Sequence, residues 1–225
     1  MSTLSGGPNI VTTGLVMYLD AANTKSYVSG STTWRDIAGS NNGTLVNGVA
    51  YSTAKGGNLV FDGSDDHVNC GLASFQPTQL TLCAWISSNT SGRDGTIIGK
   101  GDVNESTEWG LSFGYSSPYY LIGRSTTYVN QLLYPWSGSL LVGYHYICYT
   151  MINNTSASLY IDGVQVISTN TIGSIGLNTK NVLIGKWNNY GPFLGNVAQT
   201  SIYSRALTAQ EILQNFNATK TRFGL

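Results

Sequence analysis

The chain has 225 residues, with 11 basic and 11 acidic side chains, no net charge and only 10% charged residues. Ser, Thr and Asn fill about 30% of the positions, whereas charged residues alone reach roughly 25% in an average soluble domain. A disordered chain would combine low hydrophobicity with high net charge, and a nucleic-acid-binding chain would carry a basic stripe, so neither class fits. No stretch approaches the ~20 apolar residues that span a bilayer, and we expect no membrane insertion.

Alternating or short continuous apolar runs dominate the chain, which is the pattern of β-strands, and Gly, Asn, Ser and Asp clusters between them predict turns. The predicted strands lie at 14–20, 57–62, 66–70, 79–88, 95–101, 109–115, 119–125, 127–134, 143–151, 157–163, 164–168, 181–187 and 194–204. About a dozen strands predict an all-β, antiparallel sandwich or jelly roll. The length suits one domain over 14–225, with 1–13 as an extended N-terminal arm.

Two acidic residues in the C-terminal half of the chain, Asp162 and Glu211, are predicted to have structural roles. Asp162-Gly163 separates two alternating runs, which favours a two-residue type I′ hairpin turn. Thr208 and Glu211 have the spacing of a capping box, which predicts one short C-terminal helix.

The three cysteines, Cys70, Cys83 and Cys148, have no CxxC spacing and are favoured as buried thiols that act as small hydrophobes. A disulfide between two of them stays open, because spacing alone does not determine pairing. Trp85 lies in the run 79–88 and is expected to point into the core together with the leucines.

Catalytic constellations are not evident in the sequence. Glycoside hydrolysis needs two carboxylates across one bond, but Glu105 and Glu108 are three residues apart and would point to opposite faces of a strand. The two histidines, His67 and His145, are distant in sequence from any G-x-S-x-G elbow, the turn that carries a nucleophilic serine. They do not cluster with cysteine as zinc ligands. We therefore predict no enzymatic activity.

Oxygen ligands for a calcium ion are the weakest of the predicted sites. Carboxylates occur together in two loops, at Asp62, Asp65 and Asp66 and at Asp94, Asp102 and Glu105. Neither group has EF-hand spacing, and turns closed by Asx side chains explain them better, so calcium remains an open alternative.

Loops that combine aromatic rings with amides are the candidate carbohydrate sites, since rings pack on sugar C–H faces and amides bind hydroxyls. Trp187, Asn188, Asn189 and Tyr190 form the best such group, and two other loops contribute Tyr119 and Trp136. The alternative is that Trp187 is a core residue and Asn188-Asn189 a hairpin turn.

Two stretches resemble the laminin-G-like members of the concanavalin A-like lectin/glucanase superfamily. The first runs through 14-GLVMYLDAAN-23, Trp34-Arg35-Asp36, 42-NGTLVNG-48 and 59-LVFDGSDDHVNCG-71, and the second through 159-LYIDGVQV-166, 183-LIGKW-187 and 195-GNVAQTSIYSRALTAQEI-212. The resemblance implies a jelly roll with one short C-terminal helix, and members that hold calcium do so with Asp and Asn at a loop edge. It implies no single activity, because this fold carries lectins, adhesion modules, hydrolases and structural domains.

The opening segment 14–48 and the ending 211–225 are also similar to virion proteins of tailed bacteriophages. This resemblance implies a non-enzymatic virion surface module, a capsid decoration or tail-fibre-associated protein, assembled in the host cytoplasm. Residues 1–14 have neither a basic n-region nor an apolar h-region, so we expect no signal peptide. The module's expected partners are other virion proteins, contacted through the arm 1–13 or the tail 219–225, further copies of the chain, and cell-surface glycans. A free-standing lectin and a glycoside hydrolase of the same fold are the alternatives.

Overall fold

The computed structural model describes residues 9–88, 95–102, 109–114, 119–125, 131–136, 143–188 and 191–225. Its strands, in chain order, are β1 (Leu15–Asp20), β2 (Thr33–Trp34), β3 (Gly43–Val46), β4 (Ala50–Ser52), β5 (Asn58–Asp62), β6 (His67–Asn69), β7 (Gln79–Ser88), β8 (Gly95–Lys100), β9 (Trp109–Gly114), β10 (Tyr119–Arg124), β11 (Gln131–Trp136), β12 (His145–Ile152), β13 (Ser156–Ile161), β14 (Val164–Thr169), β15 (Val182–Ile184) and β16 (Leu194–Tyr203). One α-helix, α1, covers Ala209–Thr219, and 3-10 turns occupy Ala54–Gly56 and Lys220–Phe223. No helix among these described residues is long and apolar enough to cross a membrane.

The strands form two antiparallel sheets. Sheet 1 has the order β14-β13-β12-β7-β16-β5-β4, and β1 pairs with the second half of β16. Sheet 2 has the order β11-β10-β9-β8-β15-β6-β3-β2. Neighbours in each sheet are often distant in sequence, as in a jelly roll, so the predicted all-β antiparallel sandwich with one short C-terminal helix is confirmed.

The main core lies between the sheets and follows from the period-two alternation of the strands. Along β7, Leu82, Ala84 and Ile86 point into this inter-sheet core, while Cys83 and Trp85 point to the outer face of sheet 1. All five residues are at most 2% exposed, so β7 is buried on both faces. The burial of the outer face requires a cover, which α1 and the C-terminal residues supply.

A second apolar cluster, the helix-side cluster, lies between the outer face of sheet 1 and the C-terminal segment. Trp85 stacks on Phe223 with ring centroids 4.0 Å apart and on Phe216 at 5.7 Å, and its indole N–H donates to the Thr219 hydroxyl at 2.7 Å. Trp85 is therefore a core residue, as predicted, but the prediction that it points inward with the leucines is wrong. Since α1 covers this face, an outward-pointing tryptophan is also buried.

The C-terminal tail is part of the domain. Residues Lys220–Phe223 form a 3-10 turn, and Phe223 is only 6% exposed because it packs on Trp85. The prediction that the tail 219–225 is free to attach to a neighbouring protein is thus corrected, since releasing it would expose the helix-side cluster.

The last residues of the predicted N-terminal arm also lie against the domain. The Val11 amide donates to the Asn215 side chain at 2.7 Å, and the Asn9 carbonyl accepts from Gln214 at 2.7 Å. The Tyr203 hydroxyl donates to the Val11 carbonyl at 3.0 Å. Residues 9–13 are therefore held by α1 and β16, while residues 1–8 lie outside the described part of the chain.

Both local motifs of the C-terminal half are confirmed. The Thr208 side chain accepts from the Glu211 amide and the Glu211 side chain accepts from the Thr208 amide, which completes the capping box of α1. Asp162 and Gly163 have positive φ values of 52° and 81°, as a type I′ turn requires. The Asp162 carboxylate also accepts from the Tyr146 amide and contacts His145 Nδ1 at 2.7 Å.

Cys83 and Cys148 form a disulfide, so the favoured prediction of three buried thiols is wrong for these two residues. They lie directly opposite each other on β7 and β12, with Cα atoms 4.2 Å apart. Cys70 is a buried free thiol, as predicted. Only the register of the two strands brings the pair together, because 65 residues separate them in sequence.

Candidate functional site

Trp187, the first residue of the predicted aromatic-amide site, is 2% exposed. Its ring lies over the backbone of Gly99 on β8 and Gly110 on β9, where a Cβ atom would overlap it, and the Arg124 guanidinium is 5.9 Å from the ring centroid. The Asn188 side chain donates to the Gly101 carbonyl at 3.0 Å. This placement agrees with the alternative that Trp187 is a core residue, and the expectation that its ring packs on a sugar is not met.

The other members of the predicted carbohydrate sites are described only in part. Asn189 and Tyr190 lie outside the described residues. The backbones of Tyr119 and Trp136 are register partners at one end of the β10–β11 pair. The side chains of these two residues are not among those that the structure describes. These four residues remain predictions.

The carboxylates of Asp62, Asp65 and Asp66 come together at the turn between β5 and β6. One oxygen of each lies within 4.8 Å of the others, so the three carboxylates of the predicted calcium group do come together. Two turn-closing bonds also form, from the Ser64 amide to Asp62 at 2.8 Å and from the Asp62 amide to Asp66 at 3.1 Å. Cation binding and turn closure are therefore both compatible with the geometry.

Asp66 is the buried member of this acidic turn. It is 3% exposed, and its Oδ1 atom is buried without a hydrogen-bond partner. Burial raises the pKa of Asp66, and the neighbouring carboxylates of Asp62 and Asp65 raise it further. A buried oxygen with no donor beside two like charges is an arrangement that a bound cation would relieve.

The remaining carboxylates of the described residues are held by cations or by backbone amides. Ion pairs join Asp20 to Arg222 at 2.6 Å, Asp102 to Lys180 at 2.8 Å and Glu211 to Arg205 at 2.6 Å. Asp162 accepts from the Tyr146 amide at 2.8 Å and contacts His145 Nδ1 at 2.7 Å. Asp36 accepts from the amides of Tyr18 and Ala38 at 2.9 Å. Glu105, Glu108 and Asp94 lie outside the described residues.

A polar pocket of about 390 Å³ opens on the outer face of sheet 1, beside the end of α1. Three parts of the chain build it: the segment before β1, the paired strands β1 and β16, and the C-terminal segment. Its lining consists of Asn9, Ile10, Tyr18, Asp20, Gln199, Ala218, Thr219, Thr221 and Arg222. The volume lies in the range of small-molecule sites, about 300–1,000 Å³.

The floor of this pocket is a hydrogen-bonded group of four side chains. The Gln199 side-chain amide donates to the Tyr18 hydroxyl and, at 3.2 Å, to Asp20 Oδ2. Asp20 Oδ1 accepts from Arg222 at 2.6 Å and from the Ala22 amide at 2.9 Å. Strand alternation explains the arrangement, because Tyr18 and Asp20 are two residues apart on β1 and point to the same face.

Sequence reasoning did not find this pocket. Gln199 is 181 residues from Tyr18, and Arg222 is 202 residues from Asp20. The local sequence around each residue has no motif that indicates binding, so only the pairing of β1 with β16 could have revealed it.

A sandwich of two antiparallel sheets with a C-terminal helix folded onto one of them defines a class of fold and not a particular chemistry. A family model described as the concanavalin A-like lectin/glucanases superfamily, Laminin_G_3, matches residues 62–213. The chain therefore belongs to this family. No curated protein is similar enough in sequence to count as a relative.

Several solved structures share the fold. A sialidase of Trypanosoma rangeli superposes with a TM-score of 0.69 and 18% identity, over 95% of this chain and 34% of the sialidase. The binding domain of Paraclostridial Mosquitocidal Protein 1 has a TM-score of 0.69 and 15% identity, over 92% of this chain and 52% of that domain. The receptor binding domain of a botulinum neurotoxin C/D mosaic serotype has a TM-score of 0.66 and 16% identity, over 92% and 51%. The chain thus spans a third to a half of these proteins.

Proposed function

We propose that the protein is a non-catalytic recognition module that binds carbohydrate in the pocket formed by Tyr18, Asp20, Gln199 and Arg222. The observation that carries the proposal is the pocket itself, which has the volume of a small-molecule site and a floor of hydrogen-bonded polar side chains. Carbohydrates, which are small and rich in hydroxyl groups, match such a lining.

The similar structures support a role in recognition. Two of them are a binding domain and a receptor binding domain, and a third is a sialidase that has been solved with sialic acid. At 15–18% identity they share the fold alone, so the choice of carbohydrate as ligand rests on the pocket.

The absence of catalysis is part of the proposal. Its support is that the described carboxylates outside the acidic turn are engaged by cations or backbone amides, which suits structural roles better than general acid or base roles. A hydrolase would need two carboxylates free to act on one glycosidic bond.

A glycan array with the intact protein tests the proposal. Thr221 is exposed at the pocket, so Thr221→Trp should fill the space and weaken binding at least tenfold. The matched control is Thr179→Trp, because Thr179 is exposed in the loop before β15 of sheet 2. Failure of the wild type to bind any glycan would refute carbohydrate binding, and unchanged binding by Thr221→Trp would refute the pocket as its site.

The finer role that we propose is that of a virion surface module, supported by the similarity of the opening and ending sequences to virion proteins of tailed bacteriophages. Because the tail is folded onto the domain, the proposed attachment segment is the N-terminal part of the chain, and several copies would sit on one particle. Mass spectrometry of gradient-purified particles should detect the chain, and deletion of residues 1–8 should release it. Its absence from particles would favour a free-standing lectin.

Calcium binding at Asp62, Asp65 and Asp66 is a second proposal, supported by the orphaned Asp66 Oδ1 atom. Oxygen ligands from three carboxylates suit this ion. Adding Ca²⁺ to the chelator-treated protein should raise its melting temperature, and Asp65→Asn should reduce the increase. No calcium-dependent change in the wild type, with the turn closed by hydrogen bonds alone, would contradict it.

A further inference from the structure

The pocket on sheet 1 carries two opposite charges that neutralise each other. Asp20 and Arg222 are the charged residues among those that line it, and they form a 2.6 Å ion pair in which each side chain is 17% exposed. The other guanidinium nitrogens donate to the backbone carbonyls of Lys55, at 2.6 Å, and Gly57. Each guanidinium nitrogen of Arg222 therefore already donates one hydrogen bond, and its charge is paired with Asp20, so an anionic ligand would find no unpaired cation among the lining residues.

Two groups on the pocket floor, the Tyr18 hydroxyl and the Asp20 carboxylate, can each form one more hydrogen bond. Asp20 can only accept, so its contact fixes the Gln199 side chain with its NH₂ group toward both Asp20 and Tyr18. The Tyr18 oxygen accepts from this group, which leaves its own proton to donate. Burial raises the pKa of Tyr18, with Asp20 as a further cause, so the phenol is protonated at neutral pH.

The acceptor beside it is Asp20 Oδ2. This oxygen accepts the 3.2 Å bond from Gln199, and a carboxylate oxygen has two lone-pair sites, so one can accept from a ligand. The Tyr18 hydroxyl and Asp20 Oδ2 both contact the same nitrogen, which places them within about 6 Å of each other. A donor and an acceptor at this separation match two adjacent hydroxyl groups of one sugar ring.

The walls of the pocket suit the same ligand. Ile10 and Ala218 supply apolar surface for C–H groups, and Thr221 and Asn9 add exposed polar groups at the edge. We propose that the pocket selects an uncharged saccharide through adjacent hydroxyls, one accepting from Tyr18 and the other donating to Asp20, with Gln199 as the positioning residue between them. This inference rests on the proposed carbohydrate-binding function and names its ligand class and contacts.

The test uses saturation-transfer NMR and titration with the intact protein. The probes are the methyl glycosides of glucose, galactose and mannose, with N-acetylneuraminic acid as the acidic counterpart. At least one neutral glycoside should bind more tightly than the acid. Tyr18→Phe removes the hydroxyl that donates to the ligand and accepts from Gln199, and it should weaken binding of this glycoside about tenfold. Tyr134→Phe on β11 of sheet 2 is the matched control and should bind as the wild type does.

A second measurement changes the ligand and keeps the protein intact. The compound cis-1,2-cyclohexanediol should displace the bound glycoside, and cyclohexanol, which has a single hydroxyl, should not. Preferred binding of N-acetylneuraminic acid, unchanged binding by Tyr18→Phe, or equal displacement by both alcohols would overturn this inference while leaving carbohydrate binding intact. Failure of every saccharide to bind would overturn the proposed function together with it.

Discussion

Lys100 shows how one charged residue can be fully buried in a chain with few charges. It is 0% exposed on β8, and its ammonium group donates to the backbone carbonyls of Leu72 at 3.1 Å, Ala73 at 2.8 Å and Phe75 at 2.8 Å. Burial lowers the pKa of Lys100, and the three carbonyls use its three donors. The side chain thus holds the loop after β6 against sheet 2.

We expect Lys100→Met to lower the free energy of unfolding by roughly 3 kcal/mol, since three carbonyls would lose their donor in the interior. Urea denaturation followed by tryptophan fluorescence would measure the change. Lys25→Met, at an exposed position, is the control and should stay within about 0.5 kcal/mol of wild type. Equal stability of the two variants would show that the loop does not depend on Lys100.

Helix α1 buries the outer face of sheet 1 and so creates the helix-side cluster. An ion pair between Arg205 and Glu211 stabilises its first turn. Arg205 donates to both carboxylate oxygens of Glu211, at 2.8 and 2.6 Å, while Glu211 also caps the helix through the Thr208 amide. The hydrogen bond from Arg205 is the main cause that lowers the pKa of Glu211 from 4.5 to about 2.

This pKa shift predicts a pH dependence of stability. Because the folded pKa is depressed, the unfolded chain takes up a proton first on acidification. The stabilisation by Glu211 is thus complete above pH 4.5 and lost as the pH falls toward 2.

Glu211→Gln keeps a residue that can close the capping box but removes the charge. Its free energy of unfolding should be about 1 kcal/mol lower than that of the wild type at pH 7 and equal to it near pH 2, as measured by urea denaturation at both pH values. Thr208→Ser retains the cap and should follow wild type at both. A difference between Glu211→Gln and wild type that persists at pH 2 would refute the assignment.

At the scale of the whole molecule, the Cys83–Cys148 disulfide joins two central strands of sheet 1 beneath the helix-side cluster. Both residues are 0% exposed, and the bond closes a loop of 65 residues between β7 and β12. A closed loop of this length restricts the unfolded chain by about 4 kcal/mol in the chain-entropy description.

Reduction of this bond should therefore lower the free energy of unfolding by as much as about 4 kcal/mol. Alkylation in denaturant should label one cysteine before reduction, Cys70, and three after it, as counted by intact mass. Cys70→Ala keeps the disulfide, so reductant should still destabilise it. Three labelled cysteines without reduction would contradict the pairing.

The regular strands were the most predictable part of the fold. The prediction of 79–88 matches β7 because this segment contains a continuous apolar run between polar residues, and the helix follows from its capping box. By contrast β2, β3 and β4 have only two to four residues each and lie among polar turns, so no periodicity marks them. Short strands depend on their neighbours for hydrogen bonds and not on their own pattern.

The candidate sites were less predictable than the fold. The group Asp62, Asp65 and Asp66 was found from the sequence because its members are within one turn. The role of Trp187 was ambiguous, because a tryptophan after a strand can either contact a ligand or pack in the core. Its ring packs on Gly99 and Gly110, which belong to other strands, so the local sequence does not show this contact.

The amino-acid sequence by itself determined the longer strands, the capped helix and the class of fold, because these depend on hydrogen bonds and apolar patterns within a few residues. Tertiary structure decided which face of β7 is inner, which cysteines pair, and that Tyr18, Asp20, Gln199 and Arg222 surround one pocket. Each of these depends on strands and segments that are distant from one another in sequence. Their register is set by the packing of the complete sandwich, which no local pattern contains.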